Sequence, residues 1–105
     1  EEGHQSTSLC HIGNISWRLG AKATPADVRQ ALAKLRVHDD VAETFDRTVK
    51  HLGDNGVDLE KSLLVLGAAL QLAEGREAFE GQPAADALLA REYRAPFVVP
   101  KESEI

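Results

Sequence analysis

Three stretches of the chain repeat apolar residues at helical spacing, and this pattern limits the fold more than any other feature. The stripes are Leu9/Ile12/Ile15/Leu19, Val28/Ala31/Leu32/Leu35 and Val41/Phe45/Val49/Leu52. Residues three and four apart lie on one face of a helix, so each stretch predicts an amphipathic helix. Pro83, placed where the first turn of a helix would be, predicts a fourth helix. We expect helices at about 8–19, 25–36, 40–52 and 83–90.

The boundaries of the first helix follow from its flanking residues. Residues 1–8 are polar and are expected to be extended, with Ser6 or Ser8 capping the helix through its hydroxyl. Gly20 stands where a left-handed C-cap is expected. Cys10 and Trp17 widen the apolar face, and Cys10 is expected to be a small buried core residue.

The remaining segments complete the predicted fold. Thr24-Pro25-Ala26-Asp27 is a strong helix start, since it offers a cap, a first-turn proline and a negative charge near the helix N-terminus. Residues 63–73 are apolar but short, so periodicity leaves strand and helix open there. We favour extended pieces near 63–66 and 69–73. The fold class predicted is mainly α with a small extended or β element, forming a single unit over 1–105.

Composition excludes several functions. The formal net charge is -5, which disfavours nucleic-acid and anionic-membrane partners because both need a basic surface. No apolar run reaches the roughly 18 residues of a transmembrane helix, and the first residues lack the pattern of a signal peptide. The one Cys excludes an intramolecular disulfide and a Cys-rich zinc site, and we expect no metal site.

The chain also lacks the motifs of nucleotide binding and catalysis. A dinucleotide site needs glycines spaced as GxGxxG, and no two of the eight glycines are separated by a single residue. Cys10 and His11 are adjacent, so on a helix they point about 100° apart and do not face each other. We therefore expect no catalytic residue and no cofactor-binding residue in this chain.

One set of polar residues forms a candidate site. His11, Asn14 and Arg18 are spaced i, i+3 and i+7 on the first predicted helix and form a polar line beside its apolar stripe. The line either faces solvent or lines a cleft or partner domain. A second set is Arg91, Tyr93 and Arg94 near the end of the chain. Arg and Tyr side chains are favoured at protein interfaces, and the pattern is equally compatible with solvent exposure.

Two segments carry a resemblance to a known family. Residues 6–20, STSLCHIGNISWRLG, and the tail from Phe79-Glu80-Gly81 through Arg91-Glu92-Tyr93-Arg94-Ala95-Pro96-Phe97 resemble segments of bacterial Gfo/Idh/MocA oxidoreductases. The middle piece Asn55-Gly56-Val57-Asp58-Leu59-Glu60-Lys61 is similar to a subgroup of them. The chain departs from the family at Ala84-Ala85-Asp86, where Glu-Ala-Asn is usual.

The resemblance implies that the chain is the C-terminal portion of an NAD(P)-dependent sugar or polyol dehydrogenase with an α+β domain. Its partner would be its own N-terminal Rossmann domain, which would hold NAD or NADP, and the chain alone would be inactive. The family's Glu-Lys-Pro motif is absent, so no catalytic residue is transferred to this chain. The polar line would then be a candidate for lining the cleft. Cytoplasmic location and export in the folded state both stay open.

Two other functions remain compatible with the residues. The chain could be an independent helical interaction module that assembles with itself as a homo-oligomer or with a partner, because thin amphipathic cores leave apolar surface to cover. It could also be a small enzyme that uses the thiol of Cys10.

Overall fold

The computed structural model describes residues 2–100 and 102–105. In order along the chain, its elements are α1 (Glu2–Arg18), β1 (Ala21–Ala23), α2 (Pro25–Leu32), α3 (Val41–Asp54), β2 (Leu64–Leu66), α4 (Pro83–Asp86) and a 3-10 turn (Glu102–Glu104). The chain divides into two compact units, Glu1–Ala69 and Leu70–Ile105, where the sequence suggested one. The prediction of a mainly α fold with a small β element is confirmed.

Helix α1 begins six residues earlier than predicted, at position 2 instead of 8. The extended segment predicted over 1–8 is therefore wrong for its described residues, and its first residue lies outside the described part of the chain. Two hydroxyl groups bond within this part of the helix: Thr7 Oγ1 donates to the Gly3 carbonyl and Ser8 Oγ to the His4 carbonyl, both at 2.8 Å. Ser6 and Ser8 both lie inside α1, which begins at Glu2, so neither caps the helix as predicted.

A short antiparallel ladder follows α1, and half of it was missed from the sequence. β1 pairs with β2 in the register Ala21↔Leu66, Lys22↔Val65 and Ala23↔Leu64. β2 lies within the extended piece predicted at 63–66. β1 contains no β-branched or aromatic residue, and it is a strand because its partner supplies the hydrogen bonds.

Gly20 joins α1 to this ladder, and its role differs from the left-handed C-cap that was predicted. The left-handed glycines of the described chain are Gly56, Gly75 and Gly81. A Cβ at position 20 would instead lie 2.5 Å from the carbonyl oxygen of Leu66. The position needs glycine because the two backbones approach each other closely.

The end of α1 is fastened to the residues after β2. Ser16 Oγ donates to the Ala68 carbonyl at 2.7 Å, and the Ala68 N–H donates to the Ser16 carbonyl at 2.9 Å. A Cβ at Gly67 would meet Ser16 Oγ, so the contact between the two segments is close. This paired contact, which we call the Ser16–Ala68 clasp, holds residues 52 positions apart in the sequence.

Helix α2 has the start that the sequence predicts. Thr24 Oγ1 accepts from the Asp27 N–H at 3.2 Å, and the Asp27 carboxylate accepts from the Thr24 N–H at 3.1 Å, which completes a capping box. The helix ends at Leu32, four residues before the predicted limit of 36.

Helix α3 packs beside α2 as a helical hairpin. Asp40 caps it by accepting from the Glu43 N–H at 2.9 Å. Arg29 of α2 forms an ion pair with Asp46 of α3 at 2.9 Å, and its guanidinium lies 5.6 Å from the centre of the Phe45 ring. Both charged groups are exposed, so this ion pair adds little stability on its own.

The second unit is a small loop structure around Phe79. Leu72 and Phe79 form an antiparallel bridge, and the turn between them contains Gly75 at a φ of 67°. The Phe79 N–H also donates to the Asp86 carboxylate at 2.7 Å. Helix α4 is a single turn that ends at Asp86, so the helix predicted over 83–90 is shorter than expected.

The buried apolar core is small in both units. Ile15, Ala23 and Val28 are buried in the first, and Ala73, Phe79 and Ala85 in the second. Among the described residues, no large side chain is fully buried. Cys10 is exposed, so its predicted place in the core is wrong. It lies on the side of α1 that turns away from Ile15, because five residues correspond to a rotation of about 500°.

Candidate interaction surface

The predicted polar line lies on α1 and faces solvent. His11, Asn14 and Arg18 are all exposed. The three side chains lie on one face of α1, within an arc of about 60° around the helix axis, because seven residues make almost two complete turns. Within the part of the chain that the structure describes, these three side chains form no hydrogen bond or ion pair with one another or with other side chains. Their donors and acceptors are open to a partner or ligand.

An apolar strip runs along α1, and its centre lies about 130° around the helix axis from the polar line. We define it as Leu9, Gly13 and Trp17, which are spaced four residues apart and so lie nearly above one another. Leu9 is 71% exposed and Trp17 is 60% exposed. A Cβ at Gly13 would have no atom within 4 Å, so the middle of the strip is open. The sequence predicted that Trp17 would widen the buried face of the helix, and the structure leaves it uncovered.

The same helix carries almost no formal charge. Residues 3–17 contain no Asp, Glu, Lys or Arg, although 28% of the whole chain is charged. Removing water from a charged side chain is costly, and this surface avoids that cost. The exposed apolar strip, in a stretch without charged side chains, therefore forms a surface suited to contact with another protein surface. Sequence reasoning found the polar line, and the missed signal was this charge-free stretch.

Several ionisable groups elsewhere in the first unit form local contacts. Asp40 caps α3, and Asp27 completes the capping box of α2. Hydrogen bonds to the Asp27 carboxylate, first from the Thr24 side chain and then from its backbone N–H, lower the pKa of Asp27 below its usual 3.8. Asp46 pairs with Arg29 across the helical hairpin. Over residues 2–100 and 102–105, no group of three or more His, Cys, Asp or Glu side chains is arranged to hold a metal ion.

A second exposed surface lies near the end of the chain, in the other unit. The Arg91 guanidinium lies 5.4 Å from the centre of the Tyr93 ring, and that of Arg94 lies 5.8 Å from the Phe97 ring. Phe97 is 70% exposed. The sequence had singled out Arg91, Tyr93 and Arg94, and the structure pairs both arginines with aromatic rings at the surface.

Comparison with known proteins identifies no relative, so a function is argued from the fold and the α1 surface. The chain was compared with protein-family models, with curated proteins and with solved structures, and no match was found. In the described chain, none of the helices has the length and apolar character needed to span a membrane.

Proposed function

We propose that this chain is the C-terminal structural portion of an NAD(P)-dependent oxidoreductase of the Gfo/Idh/MocA type. In this proposal, α1 packs against the N-terminal Rossmann domain of the same protein. The observation that carries it is the uncovered apolar strip of α1 within the charge-free residues 3–17, because the strip lies inside residues 6–20, which resemble that family.

The apolar strip gives a measurable reason to pack. A Trp side chain buries about 150–250 Å² when covered, so the 60% exposed at Trp17 corresponds to about 2–4 kcal/mol at 25 cal/mol per Å². Leu9, which is 71% exposed, adds about 1–2 kcal/mol. Burial of these side chains stabilises the contact more effectively when the partner domain is covalently linked, because linkage replaces a bimolecular encounter with an intramolecular one.

The polar line has a defined place in this arrangement. If the apolar strip meets the neighbouring domain, Asn14 lies at the edge of that contact, about 60° around the helix axis from Trp17. Arg18 and His11 lie farther around the same side of the helix, about 100° and 120° from Trp17. Neutral hydrogen-bonding groups and a guanidinium suit a carbohydrate-like ligand with several hydroxyls, because each hydroxyl both donates and accepts. We therefore propose that these residues bind or orient the substrate and perform no proton transfer.

The nicotinamide cofactor would be held by the N-terminal domain, because the residues of this chain do not fit it. A dinucleotide site places a glycine-rich loop between a strand and a helix. Here only Thr24 joins β1 to α2, which leaves no room for such a loop. The reaction proposed for the whole enzyme is hydride transfer between nicotinamide and a hydroxyl or carbonyl carbon, and we derive no step of it from these residues.

The experiment uses the full-length protein and two matched variants. Trp17→Glu places a charge on the apolar strip, and Leu35→Glu places one on a residue of similar exposure, 52%, outside α1. We expect Trp17→Glu to lower the melting temperature and the NAD(P)-dependent oxidation of sugars or polyols, while Leu35→Glu leaves both near the wild-type values. Equal effects of the two variants would contradict the docking role of α1.

Two further measurements separate substrate binding from packing. In the full-length enzyme, His11→Ala and Arg18→Ala should change KM or kcat more than the melting temperature, and the opposite pattern would show packing or surface roles. The 105-residue chain alone should not bind reduced nicotinamide, and tight, saturable binding in a titration would refute the proposal.

The same surface also favours a second candidate function, an independent helical module that assembles with itself or with a partner. Its supporting observation is the exposed pair Leu9 and Trp17, which a second protein could cover equally well. Sedimentation of the isolated chain distinguishes the two. A defined oligomer that Trp17→Glu dissociates would support the module, and a monomer at micromolar concentration with no partner recovered from cells would oppose it.

A further inference from the structure

We draw no further inference here: the strongest candidate, the exposed surface patch near the C-terminal end in which Arg91 lies over Tyr93 and Arg94 over Phe97, carries no proposal because nothing in the structure shows what covers it.

Discussion

Gly20, which follows the end of α1, and Gly13, which lies inside α1, should respond in opposite ways to one added methyl group. A Cβ at Gly20 would lie 2.5 Å from the Leu66 carbonyl oxygen and 3.0 Å from the Gly67 Cα. Real Cβ atoms do not approach within 3.0 Å, so the backbone must move by at least about 0.5 Å. The obstructing atoms belong to the main chain, and a side-chain rotation cannot relieve the contact.

The expected magnitude follows from the position of this contact. The first pair of the β1–β2 ladder, Ala21↔Leu66, directly follows Gly20, so the shift strains the ladder at its start. Overpacking of this kind costs about 1–3 kcal/mol. In a domain of 60–100 residues, each kcal/mol moves the melting temperature by about 4–8 °C. We expect Gly20→Ala to lower the melting temperature by about 8–16 °C, for a mid-range cost of about 2 kcal/mol.

Gly13→Ala is the matched control. Its Cβ would have no atom within 4 Å, and the residue lies inside α1. Alanine is favoured over glycine in a helix interior by about 1 kcal/mol, so this variant should melt about 4–8 °C higher. Thermal unfolding followed by circular dichroism measures both changes. If Gly20→Ala is as stable as Gly13→Ala, the close approach of the two backbones described here is wrong.

Three other predictions concern single contacts. Ser16→Ala removes the hydroxyl that donates to the Ala68 carbonyl and should reduce the free energy of unfolding by about 1 kcal/mol in urea denaturation. Asp27→Asn should remove an acid-dependent contribution to stability: the folded pKa lies below 3.8, so this contribution is present above about pH 4 and is lost as pH falls through the folded value. Phe79→Ala should cost about 3–5 kcal/mol, and hydrogen exchange should show loss of protection in the second unit.

Each of these three has a specific contradicting result. Thr7→Ala removes only a hydrogen bond within α1. If it lowers the free energy of unfolding as much as Ser16→Ala does, the clasp contributes no more to stability than a bond within the helix. If the free energies of unfolding of wild type and Asp27→Asn differ by a constant amount from pH 6 to about pH 2, the Asp27 carboxylate does not contribute the acid-dependent stability. Unchanged hydrogen exchange in Phe79→Ala would mean that its ring does not organise the second unit.

Local signals predicted the parts of the fold that depend on local contacts. The Thr24-Pro25-Ala26-Asp27 start is a capping box in the structure because all of its bonds lie within four residues. β1 could not be found in this way, because Ala21–Ala23 is a strand only through pairing with a segment more than 40 positions later. The N-terminal turn of α1 was missed because hydroxyls that usually cap a helix bond back to its carbonyls here.

The sequence predicted the position of the polar line on α1, but it did not predict the exposed apolar strip on the same helix. The spacing of His11, Asn14 and Arg18 places them on one face of α1 from helix geometry alone. The exposure of Leu9 and Trp17 was not predictable from periodicity, because apolar residues at helical spacing look the same whether the face is covered by this chain or by another. The three-dimensional structure shows that Leu9 and Trp17 stay uncovered while Ile15 of the same helix is buried.

The Ser16–Ala68 clasp has a consequence for synthesis on the ribosome. The chain is made from its N-terminal end, so α1 emerges long before the residue that holds its end in place. Closing a loop of 52 residues costs about 3.5 kcal/mol of chain entropy, and nothing offsets it until position 68 is available. A nascent chain in which Ala68 is still inside the ribosome should therefore leave α1 sensitive to proteases, and emergence of Ala68 should protect it.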